Sequence, residues 1–206
     1  MLKRTSISRV NKILEQNKHW KVLDIGCGFR ANKSATVIAD RKDFSNYYKE
    51  KNFVLIKEKT FPFKDKEFDF VIASHVIEHV EDFEFFIKEL ERVSSKGYIE
   101  LPTRLGDNLV FENEKDHIWW FCYDDMDNKL IASKKNQLID PFITVSLAKL
   151  FEDIYRESLV LEISWENKIE YVLSNKIRHE DYKKISFFTI IRKYISKKIR
   201  TILRKH

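Results

Sequence analysis

Cysteine is scarce: only Cys27 and Cys122 occur in 206 residues. They stand far apart and in no paired spacing, which excludes a disulfide framework and a zinc knuckle. A reducing, cytoplasmic setting is therefore expected. Also missing is any continuous apolar run. The opening MLKRTSISRVNKILEQNKHW is basic but broken by polar residues every two or three positions, so no secretory signal is expected. No segment approaches the roughly 20 apolar residues that a membrane-spanning helix needs. Acid is absent from one stretch: Lys183 to His206 holds nine Lys or Arg and no Asp or Glu, against a net charge of +6 for the whole chain. The first 182 residues thus carry −3, so a nucleic-acid surface spread over the body is not implied, and an anionic partner is expected at the tail.

What is present suits one domain, residues 1–182, with a tail at 183–206. A hydrophobic content of 43% is enough for a core. Ile7, Val10, Ile13 and Leu14 recur at helical spacing, with Ser6 placed to cap the start. Lys21 to Gly28 reads as a buried strand closed by a glycine turn. Further strands are expected at Ala35–Ala39, Phe53–Ile56, Phe68–Ala73 and Tyr98–Leu101, the last ended by Pro102. A helix is expected from about His75 to Val93 on the spacing of Val76, Ile77, Val80, Phe83, Phe86, Ile87, Leu90 and Val93. Strands alternating with helices predict an α/β, Rossmann-like, mostly parallel sheet. Beyond Thr103, two antiparallel hairpins are expected: Trp119–Tyr123 with Leu130–Ser133, and Leu159–Trp165 with Ile169–Leu173. The polar stretch Lys129–Gln137 reads as a mobile loop.

Glycines directly after a strand let main chain approach a ligand with no Cβ in the way. In Val-Leu-Asp-Ile-Gly-Cys-Gly, residues 22 to 28, this leaves two nucleotide-type readings. With Ala31 the glycines satisfy a dinucleotide fingerprint, whose ribose-binding acid normally follows about 20 residues later; Asp40 comes only twelve after Gly28. Asp24, two residues before the first glycine, is instead the acid found in motif I of class I methyltransferases. Phe61-Pro-Phe-Lys-Asp-Lys-Glu-Phe-Asp-Phe-Val-Ile-Ala-Ser-His-Val-Ile-Glu-His-Val80 resembles the block that follows motif I in the small-molecule members of that family. Gly97-Tyr-Ile-Glu-Leu-Pro102 and His117 to Trp119 resemble a subgroup with a shortened first helix. The resemblance covers about residues 20 to 175 and implies the seven-stranded methyltransferase sheet.

It also implies S-adenosylmethionine as cofactor and assigns positions to it. Asp24, Gly26 and Gly28 match the motif I positions around the methionine part, with Ile25 and Cys27 between them. Asp40 matches the acid that takes both ribose hydroxyls, with Arg41 beside it. Ser74 and His75 match positions beside the methyl sulfonium. All fall beyond the carboxyl ends of strands, where open parallel sheets bind ligands. Two departures stand out. The 29–34 segment is too short for a full first helix and is expected to be loop or a single turn. The place of the acid that contacts adenine is held by Lys57, so that role passes to Glu58.

His75-x-x-Glu78-His79 also fits a zinc pattern, but the resemblance already accounts for it and no metal is expected; Glu78 and His79 are read as bracing the helix start. Methyl transfer from a sulfonium is a direct displacement in which alignment supplies most of the rate. If the acceptor is a hydroxyl, His75 and His117 are the candidate bases. Trp119 and Trp120 are read as packing in preference to an acceptor wall. The Asn/Asp-Pro-Pro-aromatic motif of enzymes that methylate DNA base amines is absent, which argues against a nucleobase. The acceptor is thus expected to be a small molecule or a sugar on a membrane-linked precursor. In the tail, Phe188, Ile191, Ile195, Ile199 and Ile202 form an apolar stripe between Arg192, Lys193, Lys197, Arg200 and Arg204. That pattern is expected to lie on an anionic bilayer at the inner membrane face, ahead of packing on its own domain or on a second copy, with nucleic acid third. The alternatives to a transferase are a degenerate cofactor-binding or interaction protein of the same fold, and an NAD-dependent oxidoreductase.

Overall fold

The computed structural model describes residues 1–109, 116–136, 155–174 and 186–203, with the side chains of 108, 109, 197, 198 and 200–203 excepted. Strand β1 (Lys3–Arg4) precedes helix α1 (Ile7–Gln16), which Ser6 caps by accepting the Arg9 N–H as the sequence suggested. Then come β2 (Val22–Ile25), β3 (Val37–Asp40), β4 (Asn52–Leu55) and β5 (Phe70–Ser74). A single 3-10 turn, Ile77–His79, leads to α2 (Phe83–Val93) and β6 (Lys96–Pro102). Helix α3 (Arg104–Leu109) and strands β7 (Trp119–Asp124) and β8 (Lys129–Lys134) follow. The described remainder is α4 (Arg156–Leu159), β9 (Val160–Glu166), β10 (Tyr171–Leu173) and α5 (Phe187–Leu203).

The main sheet has the order β1-β9-β6-β5-β2-β3-β4. From β4 to β6 all neighbours are parallel, while β9 runs antiparallel to β6 and to β1. This is the seven-stranded α/β sheet expected from the sequence. Parallel strands are covered on both faces, which is why β2, β3 and β5 are mostly apolar, with Asp24 the one polar residue inside β2. Alternate residues serve opposite faces. Val22, Ile38, Phe70, Ile72 and Tyr98 pack with Val10 and Leu14 of α1. Leu23, Val37, Ala39, Val71, Ala73 and Ile99 pack with Phe83, Ile87, Leu90 and Val93 of α2. The same second layer includes Trp119, Phe121, Leu130 and Ala132 from a smaller sheet of order β10-β8-β7.

Three expectations need correction. The continuous helix from His75 is two pieces, because Val80 is extended (ψ 134°) and Asp82, accepting the Phe85 N–H, caps a fresh start at Phe83. Glu78 and His79 therefore do not brace the start of α2. The apolar periodicity ran through the break because Ile77, in the separate 3-10 turn, is itself fully buried. The first hairpin is present as β7 and β8, so Lys129–Lys134 is strand and not mobile loop. The second hairpin does not form: β9 pairs along the whole of β6, and β10 runs parallel to β8 in the other sheet. Seven register partners on β6 outcompete a local return of three residues. The expected 182/183 boundary falls outside the described residues. Among the described residues no helix is long and apolar enough to cross a membrane.

Candidate functional site

At the carboxyl edge of the sheet, the turn after β2 is bound to the end of β3. Gly26 and Gly28 take left-handed backbone, φ +69° and +47°. The N–H groups of Gly26 and Cys27 both donate to the Ala39 carbonyl, at 2.7 and 3.3 Å. Gly28 N donates to Asp40 Oδ2 at 3.0 Å, and Lys42 N donates to Oδ1 at 2.9 Å. No helix forms between β2 and β3, so the shortened segment is loop and turns as expected. At Gly26 a Cβ would sit 2.0 Å from Val76 Cγ2, so only glycine lets the segment after β5 close over this turn.

Asp24 is buried, and its Oδ2 accepts the Asn32 N–H at 2.6 Å. Burial pushes its carboxyl up to about 6, and the Asn32 N–H offsets only part of that. Burial likewise lifts the Cys27 thiol, to about 12, which removes it as a nucleophile at neutral pH. Both residues brace the turn from within.

A cleft of about 940 Å³ opens here, and Ile25, Gly26, Asp40, Arg41 and His75 all line it. The expected adenosyl-site residues from β2, β3 and β5 thus share one cavity, of a size suited to a nucleoside-type ligand. Asp24, Cys27, Gly28, Glu58 and Ser74 are not in its wall; Ile56 and Lys59 flank the place where Glu58 was expected. Lys59 itself pairs with Asp82 at 2.6 Å. The far wall, from Phe61, Val80, Phe85, Phe86 and Ile118, is apolar.

His75 directly follows β5 in left-handed backbone, φ +53°, a conformation that a side-chain-bearing residue holds only where its surroundings enforce it. Its N–H donates to the Glu100 carbonyl at 2.9 Å. The ring lies between two acids, with Nδ1 3.2 Å from Glu78 Oε1 and Nε2 3.0 Å from Glu100 Oε1. Burial disfavours the charged ring, yet the two carboxylates together raise its pKa to about 10. That direction favours the protonated ring, which runs against the expectation of a base. Glu100 in turn is drawn down to about 2: burial opposes this, and His75, Tyr98 and Arg156 outweigh it. The Tyr98 hydroxyl lies 2.6 Å from Glu100 and 2.7 Å from Glu162, and Arg156 pairs with Glu100 at 2.8 Å. Sequence reasoning missed this network. Its visible signal was a carboxylate in the interior of each of two largely apolar strands, Glu100 in β6 and Glu162 in β9.

His117 is buried and off the cleft wall, with Nδ1 2.5 Å from Asp107 Oδ1. Trp119 and Trp120 are buried as well, and donate to the Val80 carbonyl and to Asp107 Oδ2. Both are packing residues, as read from the sequence.

Residues 30–99 match the family model of the methyltransferase domain. The chain is 34% identical over 119 residues to an uncharacterized protein of Methanocaldococcus jannaschii, covering 52% of this chain and 50% of that one. It is 33% identical over 107 residues to the ubiquinone biosynthesis O-methyltransferase of Pelagibacter ubique, covering 45% of each. The chain therefore spans about half the length of the curated relatives it matches. Among solved structures it is similar to a Pyrococcus horikoshii protein (TM-score 0.43, 19% identity, 78% of this chain and 90% of that one). It is also similar to a SAM-dependent methyltransferase from Aquifex aeolicus (TM-score 0.41, 14% identity, 77% and 87%).

Proposed function

We propose that this chain, of which residues 30–99 match the methyltransferase domain, is a class I S-adenosylmethionine-dependent methyltransferase that transfers a methyl group to a small molecule or to a sugar on a membrane-linked precursor. The observation that carries this reading is the shared cleft: the glycine turn closing β2 and the carboxylate closing β3 line one cavity with His75. The donor set fits the cofactor. Asp40 spends one lone pair of each oxygen on Gly28 N and Lys42 N, and a carboxylate offers about four, so both oxygens can still accept ribose hydroxyls. Gly26 supplies bare main chain beside them.

S-adenosylmethionine, when bound, supplies a methyl group on a positively charged sulfur. Asp40 holds the ribose and Gly26 admits the methionine part. His75, clamped by Glu78 and Glu100, fixes the β5 corner, and its flanking acids leave the local charge favourable to a sulfonium. No proton needs to leave His75, since displacement depends on alignment. The apolar wall of Phe61, Phe85, Phe86 and Ile118 receives the acceptor and keeps water away. Replacing Asp40 by Ala is expected to weaken S-adenosylhomocysteine binding by about 1–3 kcal/mol, the cost of leaving hydroxyls unpaired. Unchanged affinity in calorimetry would remove Asp40 from the site, and a chain with no affinity for the compound would end the transferase reading.

The membrane-linked acceptor draws on α5. Phe188, Tyr194, Ile195 and Ile199 are exposed there, Phe188 by 80%, between Arg192 and Lys193, on a helix with no acid. An apolar stripe flanked only by cations matches an anionic bilayer surface. The whole chain is expected to float with vesicles containing acidic lipid and not with neutral ones, and Ile195→Asp is expected to release it. Equal binding to both vesicle types would refute this.

A further inference from the structure

One group of residues at the cleft rim is not needed for holding an adenosyl cofactor. A carboxylate oxygen of Glu78 and one nitrogen each of His79 and His117 lie within 4.8 Å of one another. Glu78 comes from the turn after β5, and His117 from the chain entering β7. The main chain ties these segments, since the Ile118 N–H donates to the Glu78 carbonyl at 2.8 Å. The two imidazoles meet edge to face, 4.5 Å between centroids.

Each ring is oriented from behind. His117 Nδ1 is 2.5 Å from Asp107 Oδ1, and Asp107 is itself fixed by the Trp120 Nε1 donor at 2.7 Å and by Lys135 at 2.9 Å. His79 Nδ1 is 3.0 Å from the Asp116 carbonyl. An Nδ1–H held by a carboxylate or a carbonyl leaves the Nε2 lone pair for another partner, the arrangement by which proteins present histidine to metals. His117 Nε2 is 4.0 Å from Glu78 Oε1. Glu78 is fully buried, and its second oxygen, Oε2, has no hydrogen-bond partner among the described residues. A buried carboxylate oxygen left unpaired is costly, and a cation is the partner that removes the cost.

We propose that Glu78, His79 and His117 form a binding site for one divalent transition ion of the zinc type. Two imidazoles and a carboxylate are a donor set suited to zinc, with at least one position left open. Donors in such a site stand about 3.4 Å apart, so the side chains close on an ion by about an ångström. This departs from the sequence expectation of no metal, and from the pattern that would have used His75. That ring is taken up by Glu78 and Glu100, and His117, 38 residues beyond His79, stands in the third place. His79 lines the cleft, so the open position faces the acceptor end. There an ion would take an acceptor's hydroxyl oxygen and lower its pKa. Only this assignment of an oxygen acceptor rests on the transferase reading; the ion site itself does not.

The test uses the full chain without a histidine tag, stripped with chelator and then titrated. Zinc is expected to bind at one ion per chain in calorimetry, and Co²⁺ to give visible absorption bands of nitrogen–oxygen ligation. His79 is exposed, so His79→Ala leaves the core untouched; it is expected to weaken Zn²⁺ binding at least tenfold and to abolish the Co²⁺ bands. No saturable binding by the parent chain, or His79→Ala binding as tightly as the parent, overturns the site. In parallel, thermal shift of the stripped chain with S-adenosylhomocysteine separates the two readings. A shift without zinc binding strikes the ion site alone, and zinc binding without a shift strikes the transferase reading alone.

Discussion

The carboxyl edge of the sheet holds its acids in two different ways. Around β2 and β3, Asp24 and Asp40 are met by main-chain N–H groups from Asn32, Gly28 and Lys42. Around β5, β6 and β9, Glu78, Glu100 and Glu162 are met by the side chains of His75, Tyr98 and Arg156. Neutral main-chain donors soften the cost of burial without cancelling it, and Asp24 is left at about 6. Cationic side chains overcome it, and Glu100 is drawn to about 2. The first region therefore keeps a rigid shape whose remaining acceptors are free for a ligand's hydroxyls. The second locks its charges to one another and positions the corner at His75.

The shape-held side should break most sharply at its tightest glycine. Gly26→Ala puts a Cβ 2.0 Å from Val76 Cγ2 at φ +69°. Left-handed backbone costs a side-chain-bearing residue about 1–2 kcal/mol and overpacking about 1–3 more. A stability loss of about 2–5 kcal/mol in urea unfolding is expected, and S-adenosylhomocysteine affinity should fall more than tenfold because Val76 must move into the cleft. An alanine variant as stable as the parent would show that the turn is not held by this contact.

Acid titration sharpens the contrast, because the two sides respond with opposite sign. Asp24 has a higher pKa folded than its ordinary 3.8, so its carboxyl adds stability as pH falls from about 6 to about 4, and that contribution is gone above 6. Glu100 has a lower pKa folded than its ordinary 4.5, so its stabilisation is present above 4.5 and is lost as pH falls toward 2. At 1.36 kcal/mol per unit each effect is of the order of 3 kcal/mol. Urea midpoints at pH 7, 5.5, 4 and 3 should lose the gain above pH 4 in Asp24→Asn and lose the fall below it in Glu100→Gln. Parallel profiles for the parent and both variants would mean that the two regions do not differ.

The same division decided what could be read from sequence. Main-chain cradles are built by neighbours, so Gly26, Asp40 and Arg41 were legible once the family resemblance was added to the glycine positions and strand ends. The side-chain network joins distant segments: Tyr98 and Glu162 are 64 positions apart. A lone carboxylate in β6 announces that a partner exists without saying which. The error on α2 arose from Ile77 and Val80, whose spacing fits a helix while their burial belongs to the separate turn before it. The mistaken second hairpin had a similar cause, since β9 and β10 are adjacent in sequence and each finds better pairing in a different sheet. Segments covered on two sides give apolar runs that reveal burial but not the identity of the cover.

Gly28 gives the smallest and most discriminating effect. Its φ of +47° is left-handed, but a Cβ built there meets nothing within 4 Å, and its N–H already donates to Asp40. Alanine therefore has only backbone strain to bear, about 1 kcal/mol. The bond to Asp40 survives, so S-adenosylhomocysteine affinity should stay within about twofold of the parent. Gly28 is absent from the cleft wall although family resemblance puts it around the methionine part, and the variant decides between the two. If Gly28→Ala loses affinity as heavily as Gly26→Ala while losing only this modest stability, the ligand approaches the main chain at Gly28, and the cleft extends past the turn that now marks its edge.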